Sequence, residues 1–490
     1  MTHPHQTLKT LVLFNYDWDV IGFEQANQRG RSPTNPNPPL GHAGFDLFTF
    51  PSNAHLAWFD IEKFVRKLVR QAKAAGWQAV VSNHEQFGAL AAAMMAERMG
   101  WPGTSVNAVL ACQHKLHARK VLQQVCPEAT VAYAVLDIEY GGSVPEGLPY
   151  PLFVKPVKAA FSVLARVVNT AEELHNHTRF GRWELWVIRH LVEPFERVFQ
   201  SRLGPAQSAH RMMLEKPINA AQFNLDGYVW NGQAAMLGVV DAVMYPGTQA
   251  FMRWDHPSCL AEGIQARALS VAQMFLDAVG FQHGMFNMEF FYDVATDRLT
   301  VIEFNPRMAS QFSDLYQRVT GLDLHACSLA LAHGLHPDTV ARVKPTAGAA
   351  SSLVYRSFVP GKPCPMPDTA RRGQFAAVFP DALLFPFPKD KGSIARDFKW
   401  LGSYRYGIVH LGGRDAADLH QRAEAASAML GWPSPYAAAC ASAQAVPGLT
   451  SSASNLMPTL DPISSSPEGT KSARLTHLPV RQPTLETARS

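Results

Sequence analysis

Hydrophobic positions near the start of the chain fall into a strand, helix, strand, helix order. Leu8 to Asn15 carries a short apolar run between polar flanks, the pattern of a buried strand. After a Pro/Asn-rich loop from Ser32 to Gly41, Asp60 opens a helix in which Ile61, Phe64, Val65, Leu68, Val69 and Ala72 recur at helical spacing until Gly76. Ala79 to Val81 reads as a second buried strand, followed by an Ala/Met-rich helix from Glu85 to Met99. This alternation predicts an α/β layer around a parallel sheet.

From Pro151 the pattern changes. Short strands are expected at Leu152–Val154, Val163–Val168, Met212–Glu215, Phe223–Val229 and Met236–Val243, with a helix opened by Thr170. A helix over Ala261–Val279 precedes two strands, Met285–Tyr292 and Leu299–Asn305, around the turn Asp293–Asp297. A further helix near Leu322–His333 leads to a third α/β unit, from Val343 to Trp432. Beyond Pro435 the chain is rich in Ser, Thr, Pro and Ala without periodicity, as a disordered tail is. The expected organisation is an N-terminal α/β domain (1–112), a central domain (113–342) with a lid (151–213), a C-terminal α/β module (343–434) and the tail (435–490).

Composition narrows the class. The 490 residues are 47% hydrophobic and 17% charged, ample for several globular cores. A net charge of +4 with no long Lys/Arg run argues against a nucleic-acid partner. The six cysteines lack CxxC or zinc-like spacing, and neither a signal peptide nor an 18-residue apolar span is present, so a cytoplasmic protein without a membrane partner is expected.

The last two central strands carry the strongest chemical signal. With side chains alternating, Glu289 shares a face with Asn287 and Phe291, while Leu299, Val301, Glu303 and Asn305 share a face of the next strand. A turn symmetric about Thr296 would set Glu289 directly opposite Glu303. Two carboxylates so placed repel one another, and a hard cation such as Mg2+ removes the conflict. An exposed edge hairpin would explain the pair without a metal, but Phe290, Phe291, Ile302 and Phe304 favour burial. Arg307 follows at once, placed to clamp a phosphoryl group. Lys155, ending an apolar strand, calls for an anion, and Val157–Ser162 offers small residues, though no glycine, for a loop closing over phosphates. Lys115 starts a helix that could reach the same phosphates. Glu215-Lys216-Pro217-Ile218 leaves a strand where backbone groups could meet an adenine edge, with Gln222 seven residues after Glu215.

In this order and spacing, the Lys115 helix, Val154-Lys155-Pro156, Glu215–Ile218, Asn287–Phe290, Val301–Arg307 and Thr320-Gly321-Leu322-Asp323-Leu324 resemble the ATP-grasp superfamily over residues 113–335. Asn83-His84-Glu85 and Gly100–Gly103 resemble the domain that precedes it in many members. The resemblance implies an α/β protein with an α+β ATP-grasp core. It also implies a nucleotide site of Lys115, Lys155, Ser162, Glu215, Lys216, Ile218 and Gln222. Gln222 stands where the family usually has a ribose-binding glutamate. Glu289, Glu303 and Asn305 would hold Mg2+ (or Mn2+), and Arg307 would be the catalytic arginine.

The activity implied is ATP-dependent ligation. A carboxylate is activated as an acyl phosphate and captured by an amine, with an amino acid among the candidates, by a monomer or a homodimer. Residues 219–226 lack the His-x-Glu pattern of biotin carboxylases, which sets a biotin-carboxylase-like enzyme behind a ligase; an ATP-binding protein without turnover is the other alternative. Gly402–Gly407 and His410–Gly413 fit a closing α/β module. Arg253 and Arg318 are placed either to meet a substrate carboxylate or at the surface.

Overall fold

The computed structural model describes residues 9–29, 40–47, 52–139, 143–159, 163–204 and 208–436. The expected tail beyond 436 and the loop residue Ser162 lie outside them. Three sheets organise the described residues.

The first sheet contains β1 (Thr10–Leu13), β2 (Gly41–Ala43) and β3 (Ala79–Val81), all parallel, in the order β2-β1-β3. The helix Ile61–Ala75 has the boundaries its pattern predicts. Asp60 accepts from the Lys63 N–H at its start, and Gly76 closes it in the left-handed region at φ 69°. Ile61, Val65, Leu68 and Ala72 form its buried stripe. The next helix runs over Gly88–Met99 rather than from Glu85; residues 82–87 are a buried loop.

The second sheet is antiparallel, with β4 (Tyr133–Glu139), β5 (Leu152–Pro156), β6 (Arg166–Val168) and β7 (Arg211–Glu215) in the order β4-β7-β5-β6. Its helix Arg182–Leu203 sends Val192, Phe195, Val198 and Phe199 into the core around the first sheet.

The third sheet has eight strands: β8 (Ala221–Trp230), β9 (Gln233–Met244), β10 (Phe251–His256), β11 (His283–Asp293), β12 (Arg298–Asn305), β13 (Ala349–Ser357), β14 (Leu383–Pro386) and β15 (Tyr404–Gly413). Their order is β12-β11-β8-β9-β10-β13-β15-β14. The strands after residue 343 therefore continue the central sheet instead of forming one of their own. The helix Glu262–Ala278 covers one face at the β12 end, where Phe275 stacks on Phe304 at 3.8 Å. The helix Ala416–Leu430 packs at the other end.

One strand departs from simple alternation. The ladder pairs Glu289 with Glu303 as expected, but Phe290 pairs with Val301, so Ile302 is bulged out of β12. The turn is centred half a residue earlier than Thr296, and the bulge restores the glutamate pairing. It also reverses the face pattern: Leu299, Val301 and Phe304 enter one core, while Glu303 and Asn305 face away from it. The expected grouping of Leu299 and Val301 with Glu303 and Asn305 is thereby corrected.

Candidate active site

Three neighbouring strands put polar side chains on one face. On β8, Phe223 and Leu225 are core residues, so Gln222, Asn224 and Asp226 point the opposite way. On β11, Phe286, Met288 and Phe290 are core, leaving Asn287 and Glu289 beside them. On β12 the bulge adds Glu303 and Asn305.

The two glutamates are buried together, and their environments differ. Burial and the neighbouring Glu303 push the Glu289 carboxyl up to about 8. Glu303 lies lower than usual despite its burial, because Lys115 Nζ sits 2.7 Å from it. The two carboxyls are thus pushed apart, Glu289 towards its neutral form and Glu303 towards its ionised form. Gln222 Nε2 donates to Glu289 at 3.1 Å, and Asn305 Nδ2 lies 3.5 Å from its other oxygen. Asn224, opposite Glu289 in the ladder, has a buried Nδ2 with no hydrogen-bond partner among the described residues.

Two carboxylates and the Asn305 amide fit Mg2+, which takes a few protein oxygens and completes its shell with water and phosphate, while the unpartnered Asn224 Nδ2, an N–H donor, suits a phosphate oxygen. No group of three or more His, Cys, Asp or Glu side chains arranged for a metal occurs among the described residues.

Cations converge from three other elements. Lys115 starts the helix Lys115–Val125 and also donates to the Ala159 carbonyl at 3.0 Å. Lys155, at the end of β5, pairs with Glu215 at 2.9 Å, and Arg119 holds the other oxygen of that carboxylate at 2.7 Å. Arg119 also donates to the carbonyls of Val301 (2.8 Å) and Ile302 (3.2 Å), and Lys155 lies 3.5 Å from the latter. The bulge thus leaves a carbonyl for the two cations that flank Glu215.

The Glu215 side chain is engaged in this triad, so it orients Lys155 and leaves only backbone to meet a base. Lys216 is exposed and Ile218 half-buried on the chain that follows. Arg307, half-buried, pairs with Glu85 at 2.8 Å.

Three contributors were not singled out from the sequence as site residues. Arg119 shares a helix face with Lys115 at a spacing of four, which was a usable signal. Glu85 is delivered by the loop after β3. Lys158, only 2% exposed, sits 3.2 Å from both the Glu85 carbonyl and Gln113 Oε1 and 5.0 Å from the Phe195 ring centroid. Burial pushes its ammonium down to about 7.

Two expected residues are not brought here. Arg318 is bound to Asp314 at 2.6 Å and Asp381 at 3.1 Å, tying the helix Ser313–Thr320 to the segment before β14. Arg253 pairs with Asp255 at 2.8 Å and stacks on Tyr436 at 4.2 Å. Its ladder partner Leu353 lies in the core at the far side of β13, so Arg253 is on the sheet face away from the site. Both are corrected to structural roles.

No protein-family model matches the chain. A carnosine synthase 1 of Gallus gallus is 27% identical over 278 residues, which are 54% of this chain and 28% of that protein. The chain thus matches little more than a quarter of that relative's length. An L-amino acid ligase from Bacillus licheniformis superposes with a TM-score of 0.61 at 17% identity, covering 86% of this chain and 98% of that one. An N5-carboxyaminoimidazole ribonucleotide synthetase from Thermus thermophilus gives 0.55 at 15% identity, over 86% and 98%. A biotin carboxylase from Campylobacter jejuni gives 0.54 at 14%, over 87% and 92%. The fold of this chain is the one these three solved structures share.

Proposed function

We propose that this protein is an ATP-dependent carboxylate–amine ligase. The observation that supports it best is the buried Glu289–Glu303 pair, faced by Lys115, Lys155, Lys158 and Arg307 in one cleft. A polyphosphate with its cation balances both sets of charge at once.

Glu289, Glu303 and Asn305 would hold Mg2+, which when bound would supply positive charge to the phosphate oxygens. Lys115, Lys155 and Lys158 neutralise those oxygens, and Lys158 gains its full charge when an anion joins it. A carboxylate oxygen of the substrate attacks the γ-phosphorus as the bond to ADP breaks. The amine nitrogen then attacks the acyl carbon, phosphate leaves, and the nitrogen loses its proton. Arg307 stabilises charge on the transferring group, and Glu85 fixes the orientation of its guanidinium. Residues 151–213 would act as the lid that keeps water from the acyl phosphate. Lys216, Ile218 and Gln222 would line the nucleoside end.

No helix among the described residues is long and apolar enough to cross a membrane. The five described cysteines are free thiols, which suits the reducing cytoplasm.

The test is substrate-dependent ADP release with Mg-ATP, screened over pools of amino acids and small carboxylates. A pool that stimulates ADP release, with loss of that release in Glu303→Ala, is the expected result. ATP binding without stimulation by any pool would favour a binding protein instead.

A further inference from the structure

The sheet contains a second like-charged pair, of opposite sign. In the β13–β15 ladder Arg356 lies directly opposite Arg405, and here too the register shifts, leaving Tyr406 bulged. The bulge sets the faces. Tyr404, Tyr406, Val409 and Leu411 belong to the core under the helix Ala416–Leu430, whereas Val354 and Ile408 pack with Phe385, Phe387 and Trp18 on the other side. Gly407 also faces the first core, where a Cβ would come within 2.5 Å of the Trp432 ring. Arg405 rests on Phe387, 4.3 Å from its centroid, so both guanidiniums share the face of Trp18.

That face adjoins the cleft. The Trp18 ring lies 5.5 Å from Tyr16, and its Nε1 donates to Ser310, just beyond Arg307, at 2.9 Å. Tyr16 is close enough to feel the charge of Arg307 on one side and to act on Arg405 on the other.

Among the described residues no carboxylate forms an ion pair with Arg356 or Arg405; Asp397 acts on both from further off, while it pairs with Lys389 at 3.1 Å and Arg396 at 3.6 Å. Arg356 donates to Ser403 Oγ at 3.0 Å, while its Nε is buried without a partner. Both side chains are half-buried, so they are partly desolvated and still reachable. Burial and the facing Arg356 push Arg405 down to about 10. Two desolvated guanidiniums opposite one another repel, and an orphaned Nε–H adds to the cost. A bidentate anion resolves both.

We propose that Arg356 and Arg405 bind the non-reacting carboxylate of the amine substrate, which makes that substrate an amino acid. This rests on the ligase reading. The phosphates have their own cations across Tyr16, and a planar carboxylate matches the guanidinium fork. An amino acid held at its carboxylate directs its amino group along the Trp18–Tyr16 wall towards Arg307.

The experiment compares each proteinogenic amino acid with its carboxamide and with O-phosphoethanolamine in Mg-ATP-dependent ADP release. The expected result is that an amino acid is used well and its carboxamide poorly. Arg405→Gln and Arg356→Gln should raise KM for the amino acid about 10- to 100-fold, the worth of a charge-assisted contact, and shrink the preference over the carboxamide. The KM for ATP, measured on the same preparations, should not change and reports a folded nucleotide site. Arg405→Lys should recover part of the loss.

Equal use of amino acid and carboxamide by the unmodified protein, preference for O-phosphoethanolamine, or an unchanged amino-acid KM in both Gln variants would each overturn the proposal. Thermal shift of the ATP-loaded protein with each amino acid and carboxamide reads binding separately. Stabilisation by amino acids alone, without ADP release, would overturn the ligase reading and leave the carboxylate site standing.

Discussion

Glu289–Glu303 and Arg356–Arg405 lie in one eight-stranded sheet, and each is a directly facing pair of like charges beside a β-bulge. They differ in how far the protein answers the charge. The acidic pair has Lys115 on one member and amides around the other. The basic pair has one hydroxyl and an aromatic ring. Like charges in a ladder oppose folding, so a chain that keeps them in the fold is holding room for an ion of the other sign. The acidic pair, partly answered, suits a cation that enters with its own phosphate ligands. The basic pair, with Asp397 acting only from outside ion-pair distance, suits an anion that supplies most of the counter-charge.

The sharpest way to break this comparison is at Glu303. Glu303→Gln keeps the shape and should lower ADP release by at least about 100-fold, since it removes the negative charge that would hold the cation neutralising the transferring phosphoryl group. Retention of most activity would remove Glu303 from the metal site.

A subtler consequence is that neutralising one member of each pair should stabilise the ligand-free protein. Glu289 is raised from 4.5 to about 8, so between those values the folded protein holds a proton that the unfolded chain has released. Stability from this group is therefore present below about pH 4.5 and declines as pH rises towards 8. Glu289→Gln avoids that decline, and its melting temperature without Mg2+ should gain on the unmodified protein across the window. Arg356→Gln should raise ligand-free stability by up to about 1 kcal/mol at neutral pH. Lower melting points for both variants would mean that the pairs are not strained.

The smallest expected effect concerns Lys158. Its pKa is lowered to about 7, so between there and its ordinary value of 10.5 the unfolded chain binds the extra proton. Stability from this group rises with pH over that range. Relative to Lys158→Met, the unmodified protein should therefore become more stable from pH 7 to 10 in melts without nucleotide. A constant difference between the two would place Lys158 in solvent.

Local pattern made much of this legible in advance. The helix Ile61–Ala75 was readable from spacing and caps, and the parallel first sheet from its alternating elements. The Glu289–Glu303 pairing was readable too, though by a symmetric turn that the bulge at Ile302 replaces. A bulge has no periodic signature, which is why Leu299 and Val301 were assigned to the wrong face. Arg318 could not be told from a substrate residue because its partner Asp381 lies 63 residues away. The Arg356–Arg405 encounter depends on a ladder register and a bulge together, and neither residue stands out in its own segment. Glu85 and Lys158 entered the site through tertiary contacts that no spacing announces.

The Arg307–Glu85 contact joins residues 222 positions apart in the chain. Closing so long a loop carries an entropy cost that the docked first sheet has to offset. A partly folded chain that has built the large sheet but not the first one holds Arg307 without its partner. A ligand that needs Arg307 aligned therefore binds only the finished molecule and draws the folding equilibrium towards it by mass action.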